Sequence, residues 1–173
     1  IVIECGGRGY YLEPALSPDP LIICGGGHVS RPTAQIATMV GFRVTVLDDR
    51  QEFASPERFP FAAATAVIDP DKGWLTDLEI GENASIVIVT RGHAHDKNAL
   101  AEALRTPAAY IGMIGSIPKR DAVYARLLAE GFTREDLARV KSPIGLEILA
   151  ETPEEIAVSI LGELIEDRAK RRG

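Results

Sequence analysis

The chain has 173 residues, of which 46% are hydrophobic and 25% are charged, and its formal net charge is -6. This composition is typical of a folded globular protein and argues against a disordered chain. No apolar run reaches the roughly 20 residues that a membrane span needs, and there is no long basic block, so we expect neither a membrane nor a nucleic-acid partner.

Cysteine usage and the N-terminus suggest a cellular location. Cys5 and Cys24 predict neither a disulfide framework nor a zinc site, and no signal peptide is visible, so we expect a cytoplasmic protein. Because the chain begins at Ile1 rather than Met, we interpret it as a fragment or as a short relative of a longer protein.

Residues 1–20 are predicted to form a β-hairpin followed by a linker. Two β-rich pieces, Ile1–Glu4 and Tyr10–Glu13, flank glycines, and the next segment, ALSPDP, contains two prolines. From residue 21 to residue 173 apolar strands alternate with helical segments, which predicts a single Rossmann-like α/β domain.

The predicted elements of this domain follow in chain order. Apolar runs predict five strands, at Leu21–Cys24, Phe42–Asp49, Ala64–Asp69, Ala84–Thr90 and Ala108–Gly115. Helices are predicted over Arg31–Val40, Asp96–Leu104 and Lys119–Glu130, and a last one begins at the capping box Thr152–Glu155. The segment Arg50–Ala63 is predicted to be an irregular crossover. The alternation predicts a doubly wound, mostly parallel sheet.

A glycine-rich turn lies between the first predicted strand and the first predicted helix. In Gly25-x-Gly27-x-x-Ser30 the first glycine allows a tight turn, the second lets a phosphate approach, and the small third residue lets the helix pack on the strand. The amides from Gly26 to Val29, at a helix N-terminus, are then candidate phosphate donors. The alternative is that these glycines serve only the packing of the helix against the strand.

Asp48 is a candidate ribose ligand. It lies at the end of the second predicted strand, 23 residues after Gly25. A carboxylate at this place can accept hydrogen bonds from a ribose diol and would repel a 2′-phosphate. We therefore predict a preference for NAD over NADP if a dinucleotide binds.

Three further loops share the predicted rim, because the carboxyl ends of parallel strands lie at one edge. TRGHAHD contains Arg91, His93, His95 and Asp96, which could contact a ligand, hold a metal, or order the loop with Asp96 as a helix cap. The spacing of the two histidines is not a zinc signature, so we expect no metal.

The remaining candidates are polar side chains at helix starts. In GSIPKR, Ser116, Lys119 and Arg120 could bind a phosphate or carboxylate, or be ordinary solvated charge. His28 contacts an anion or only fills space. The loop Asp69–Lys72 completes the rim. No Tyr-x-x-x-Lys dyad, Walker motif or Gly-x-Ser-x-Gly elbow is present, so no catalytic residue is predicted.

Four segments together resemble the Rossmann domain of the XdhC/CoxI family. They are CGGGHVSRPTAQIATMVGFRVTVLDDR, TRGHAHD, YIGMIGSIPKR and SPIGLEILAETPEEIAVSILGELI, and the resemblance covers Tyr10 to Glu166. Longer members carry an N-terminal lobe that ends near a CGG stretch like the one beginning at Cys5. Residues 1–20 are therefore interpreted as a remnant of that lobe. GSIPKR departs from the family at Ile117-Pro118, where basic residues are expected.

The resemblance implies a molybdenum-cofactor chaperone rather than an enzyme. Such a protein binds molybdopterin or its nucleotide form, protects it, and delivers it to a xanthine dehydrogenase-type hydroxylase. The implied partners are the apo-hydroxylase, a cysteine desulfurase and further copies of the chain. On this reading Arg91, His93 and Lys119 line the pterin and molybdenum side. An NAD-dependent oxidoreductase and a nucleotide-sensing regulatory domain stay open as alternatives.

Overall fold

The computed structural model describes residues 2–11 and 17–172, without the side chains of Val2, Ile3, Cys5 and His93. Its strands are β1 (Val2–Cys5), β2 (Arg8–Tyr11), β3 (Asp19–Cys24), β4 (Phe42–Asp48), β5 (Ala64–Val67), β6 (Ser85–Ile88), β7 (Tyr110–Met113) and β8 (Val140–Lys141). Its α-helices are α1 (Ser30–Met39), α2 (His93–Leu104), α3 (Ile117–Ala129), α4 (Arg134–Ala138) and α5 (Pro153–Arg172). None of the helices in these ranges is both long enough and apolar enough to cross a membrane.

The predicted N-terminal hairpin is confirmed. Strands β1 and β2 pair antiparallel, with Glu4 opposite Gly9, and form a separate two-stranded sheet. Part of the predicted second strand and of the linker falls on residues 12–16, outside the described residues.

The doubly wound sheet is also confirmed. Six strands run parallel in the order β5-β4-β3-β6-β7-β8. The first of them, β3, is central; β4 and β5 are added on one side of it, and β6, β7 and β8 on the other. The segment from Arg50 to Ala63 is irregular, as expected, apart from one 3-10 turn at Gln51–Phe53.

Two elements were not predicted, and two helix starts differ. Strand β8 has two residues and α4 has five, too short for a periodic hydrophobic signal. Helix α2 begins at His93 rather than near Asp96, and α3 begins at Ile117 rather than Lys119. The capping box of Thr133 and Asp136 is the signal that could have revealed α4.

The core has two layers, one on each face of the sheet. On β3, Leu21 and Ile23 contribute to the layer that includes α1 and α5, whereas Ile22 and Cys24 contribute to the layer with α2 and α3. All four side chains are buried. Alternate residues of a strand point to opposite faces, so a strand covered on both sides is apolar throughout.

The capping box of α5 forms as predicted. The Glu155 amide donates to Thr152 Oγ1 at 3.2 Å, and the Thr152 amide donates to Glu155 Oε2 at 3.0 Å. Four apolar residues of α5 are buried: Ala157, Ile160, Leu161 and Leu164. Ile156 is half-buried, and Ile165 is 39% exposed.

Glu163 of α5 ties the segment after β8 to the sheet. Its Oε2 accepts hydrogen bonds from the Tyr110 hydroxyl at 2.6 Å and from the Gly145 amide at 2.8 Å. Burial, and then the hydrogen bond to Glu163, raise the pKa of Tyr110 well above its ordinary value. The neutral hydroxyl is therefore a permanent donor, and this carboxylate connects strand, loop and helix.

We predict that Glu163→Ala destabilises the fold. Each of the two donors loses its partner in a poorly hydrated place, at about 1–3 kcal/mol per group. Urea denaturation measures the change. Glu166→Ala removes an exposed carboxylate of the same helix, paired with Lys170 at 2.6 Å, and should cost about 0.5 kcal/mol or less. Equal losses for the two variants would contradict the bridging role.

Candidate functional site

The rim of the candidate site lies at the carboxyl edge of the central strands. Cys24 of β3 is level with Leu47 of β4 and Ile88 of β6. The residues that follow these three strands therefore meet at one edge. We call residues 25–30 the glycine loop; it lies between the strand ends that carry Asp48 and Thr90.

The first two glycines are required by close backbone approaches. Gly25 has φ +107°, and a Cβ there would lie 2.9 Å from the Thr90 Cα. A Cβ on Gly26 would overlap the carbonyl oxygen of Phe53. Both positions are buried, so the shape of the loop explains why glycine is present at each, and the ligand contacts expected of Gly25 and Gly26 stay predictions.

Asp48 holds the glycine loop in this shape. Its side chain is 3% exposed, and its Oδ2 accepts a 2.7 Å hydrogen bond from the Gly26 amide. Arg50 donates to the same carboxylate from its backbone amide at 3.0 Å and from Nε at 2.9 Å. The structure thus gives both oxygens of Asp48 partners within the chain, and the ribose contact expected of it stays a prediction.

The crossover after β4 packs on the glycine loop, a feature that sequence reasoning missed. Arg58 Nε donates to the Gly26 carbonyl oxygen at 2.9 Å. The Arg50 and Arg58 guanidinium groups lie 3.6 Å and 4.9 Å from the centre of the Phe53 ring. The contact of Arg58 with Gly26 joins residues 32 positions apart, and the segment that carries Arg58 is irregular, so no local sequence pattern predicts it.

The next three residues present donors outward. No residue of the described ranges accepts a hydrogen bond from the amides of Gly27, His28 or Val29. A Cβ on Gly27 would meet nothing within 4 Å, and His28 is exposed. Ser30 is fully buried, and its Oγ has no hydrogen-bond partner among the described residues. This cluster of free donors at the start of α1 is suited to an anion.

Asp49 and Arg91 join the two strands that flank the glycine loop. Arg91 Nη2 donates to Asp49 Oδ2 at 2.6 Å, and the Arg91 side chain is 56% exposed. Burial alone would raise the pKa of Asp49, but the hydrogen bond and charge of Arg91 hold it below its ordinary value. The Asp49 carboxylate is therefore ionised at neutral pH.

Asp96 and Lys119 form a second ion pair across the rim, between the loops after β6 and β7. The Lys119 ammonium contacts Asp96 Oδ2, and the Thr90 hydroxyl donates to Asp96 Oδ1 at 2.7 Å. Asp96 is fully buried. Gly92, and not Asp96, occupies the N-cap position of α2, so Asp96 is not the helix cap that the sequence suggested. Lys119 has a partner here, and its predicted ligand contact stays a prediction.

The other predicted site residues are placed as follows. Ser116 is exposed and caps α3, accepting from the Lys119 amide at 3.4 Å. Arg120 donates to Asp121 at 2.8 Å and to the Ser142 carbonyl oxygen at 3.3 Å. The side chain of His93 lies outside the described residues. His95 packs edge-on against Trp74 at 5.9 Å between ring centres.

Neither Cys24 nor the described acidic and histidine side chains of the rim give it a reactive thiol or a metal centre. Burial, and then the charges of Glu102 and Asp96, raise the pKa of the Cys24 thiol far above its ordinary value, so it stays protonated. Within residues 2–11 and 17–172, no three His, Cys, Asp or Glu side chains are grouped for a metal. The arrangement is suited to holding an anionic ligand by hydrogen bonds.

Comparison with protein families finds a match to a family model described as the XdhC Rossmann domain, over residues 21–164. The chain is 33% identical over 164 residues to the uncharacterized protein YqeB of Escherichia coli K12, covering 94% of this chain and 30% of that protein. It is 31% identical over 156 residues to a probable xanthine dehydrogenase subunit from Bacillus subtilis 168, covering 90% and 45%.

A solved structure shares the fold. The crystal structure of a xanthine dehydrogenase from Bacillus halodurans superimposes with a TM-score of 0.77 at 32% identity, over 89% of this chain and 44% of that one. The chain thus spans less than half the length of each of these three relatives.

We predict opposite outcomes for alanine at the two neighbouring glycines. Gly26→Ala should destabilise the protein by about 1–3 kcal/mol, because its Cβ overlaps the Phe53 backbone and forces the crossover away. Gly27→Ala, whose Cβ points into open space, should change the free energy of unfolding by no more than about 0.5 kcal/mol. Urea denaturation of both variants measures their free energies of unfolding and tests this difference. Equal stability would show that the crossover does not pack on the glycine loop.

A second prediction concerns the buried ion pair. Lys119→Met leaves the Asp96 carboxylate buried without its cation, at about 3–5 kcal/mol. Adding Asp96→Asn in the same chain should restore part of the loss, because the uncompensated charge is removed. Thermal melting of the single and double variants measures this. If Lys119→Met alone melts like the unchanged protein, Lys119 is a free surface cation.

Proposed function

The chain belongs to the family described as the XdhC Rossmann domain, and from that premise we propose that it binds the molybdenum cofactor and holds it for a xanthine dehydrogenase-type hydroxylase. The observation that carries the proposal is the set of unpaired amides of Gly27, His28 and Val29 beside an open Gly27 position. Those donors are suited to a phosphate, which both the pterin form and the nucleotide form of this cofactor carry.

The fit of a phosphate rests on local geometry. The Gly26 amide is already bound by Asp48, so the loop presents the three amides that follow. Gly27 lacks a side chain where a phosphate oxygen would approach, and the positive end of the α1 dipole favours an anion there. The exposed His28 lies in the same turn and can add a further donor.

The other rim residues have supporting roles in the proposal. Arg91 is exposed, and its planar fork has donors beyond the one given to Asp49, so it can reach a phosphate oxygen. Ser116 is exposed in the loop that follows β7. We propose His93 and Lys119 for the pterin side, with Lys119 keeping its contact with Asp96 and using another of its three donors for the ligand.

Holding without turnover is the role that this site favours. The one cysteine beside the glycine loop, Cys24, is buried and protonated, and the rim offers donors for charge-assisted hydrogen bonds. Two of the relatives are named as xanthine dehydrogenase proteins. We therefore propose an accessory role, in which the domain passes the cofactor to an apo-hydroxylase. A cysteine desulfurase and a second copy of the chain are proposed as further partners.

We predict that Gly27→Val abolishes cofactor retention without unfolding the domain. The added methyl groups would occupy the space where the phosphate approaches, whereas the φ of Gly27 is ordinary and its surroundings are open. The measurement is the pterin content, by fluorescence after oxidation, of protein recovered from gel filtration, with thermal melting as the folding control.

The matched control is Gly9→Val in the hairpin, an equally open glycine position with an ordinary φ. It should retain cofactor like the unchanged chain. Equal retention by Gly27→Val and the unchanged chain would remove the glycine loop from the site. No retention by any form would reject the proposed function for this domain. The molybdenum content of a co-expressed apo-hydroxylase then tests delivery.

A further inference from the structure

An ion pair spans the point at which the glycine loop begins. Asp49 directly follows β4 and Arg91 follows β6, and these two strands lie on either side of β3. Neighbouring strands are about 4.8 Å apart, so the pair spans roughly 10 Å. The Arg91–Asp49 contact therefore passes the end of β3, where the glycine loop begins. We call this contact the rim bridge.

The two halves of the rim bridge retain unused bonding capacity. Asp49 Oδ1 is shielded from solvent and has no hydrogen-bond partner among the described residues, although Arg50 Nε lies 3.8 Å from it. A carboxylate oxygen left in this state is unfavourable until a donor reaches it. Arg91 is 56% exposed and uses a single donor atom on Asp49, so it is free to turn to another anion.

The carboxylates of Asp48 and Asp49 consequently differ in how readily they can accept a hydrogen bond from a ligand. Asp48 accepts from Gly26 and Arg50 and is buried beneath the loop. Asp49 has one described hydrogen-bond partner, and the side chain of that partner is mostly in solvent. A hydroxyl-bearing ligand that reaches this edge would therefore meet Asp49 and not Asp48.

The geometry points to a ribonucleotide as the ligand class, and to the residues of the rim bridge as the ones that recognise its ribose. The ligand phosphate binds the free amides of the glycine loop and draws Arg91 away from Asp49. The released Asp49 carboxylate then accepts hydrogen bonds from the two ribose hydroxyls. A pterin phosphate alone would engage Arg91 but would leave Asp49 without donors.

This inference rests on the proposed function, because it requires the glycine loop to bind phosphate. It adds that the nucleotide form of the cofactor, rather than the bare pterin form, matches the site. A 2′-phosphate would bring a second anion against Asp49, so such ligands are disfavoured. Asp49 is on this view a specificity-determining residue.

The experiment uses calorimetric titration of the full chain with four probes: pyrophosphate, ADP, 2′-deoxy-ADP and adenosine 2′,5′-bisphosphate. We expect ADP to bind at least about tenfold more tightly than 2′-deoxy-ADP, as for loss of a hydrogen bond to a charged group. Asp49→Asn should reduce this ratio towards one. The same variant should bind pyrophosphate as tightly as the unchanged chain or more tightly, since Arg91 no longer has a competing carboxylate.

Two further variants separate this role from a general effect of charge. Asp167→Asn removes an aspartate that pairs with Arg171 at 2.8 Å near the other end of the sheet, and should leave every ratio unchanged. Arg91→Met should weaken pyrophosphate and ADP by a similar factor. A ratio that survives Asp49→Asn overturns the inference.

The outcomes also distinguish this inference from the proposed function. If pyrophosphate binds and Gly27→Val abolishes that binding, but ADP and 2′-deoxy-ADP bind equally, the phosphate site stands and recognition of the ribose by the rim bridge is wrong. If neither pyrophosphate nor any nucleotide binds, both are wrong. Tighter binding of adenosine 2′,5′-bisphosphate than of ADP would also overturn the role of Asp49.

Discussion

The buried carboxylate of Asp48 is the constraint on which the candidate site depends. It binds the Gly26 amide at 2.7 Å and takes up the Arg50 side chain, at the point where β4 leaves the sheet. A charge buried this deeply is tolerated only when its oxygens are paired, so the loop and the crossover must close around it. Turning the Gly26 amide inward leaves the amides from Gly27 to Val29 facing outward. The free donors on which the proposed anion site rests therefore depend on that inward bond.

Opposite charges then link the loops that follow neighbouring strands. One pair, Asp49 with Arg91, spans the glycine loop, and another, Asp96 with Lys119, joins the ends of β6 and β7. Cations that would suit a phosphate are thus held by the protein's own carboxylates. On the proposed function, an anionic ligand would exchange partners with these ion pairs, and the exposed Arg91 would exchange more easily than the shielded Lys119. Selectivity can then come from what the released carboxylate accepts.

Within the described residues the rim combines a buried thiol with carboxylates that already have partners. Its thiol, Cys24, is enclosed by the core and kept protonated, and its carboxylates are paired with cations or amides. Contacts away from the rim, such as those of Glu163 with Tyr110 and Gly145, fasten α5 and the segment after β8. A sheet with ion pairs along one edge would suit the proposed role, in which the domain receives a ligand and releases it again.

The sequence by itself determined the alternation of apolar strands with helices, the hairpin, the capping box of α5 and the position of the glycine loop, because these depend on neighbours within a few residues. It also indicated the family, through four motifs in order. Only the tertiary structure decided which of two adjacent aspartates turns inward, that Arg58 and Phe53 brace the loop, and that Lys119 is bound by Asp96. Strand β8 was not predicted either, because two residues are too few to show an alternation of apolar and polar side chains. The loop contacts join residues 22 to 32 positions apart, and their geometry is set by how strands pack side by side rather than by any local preference.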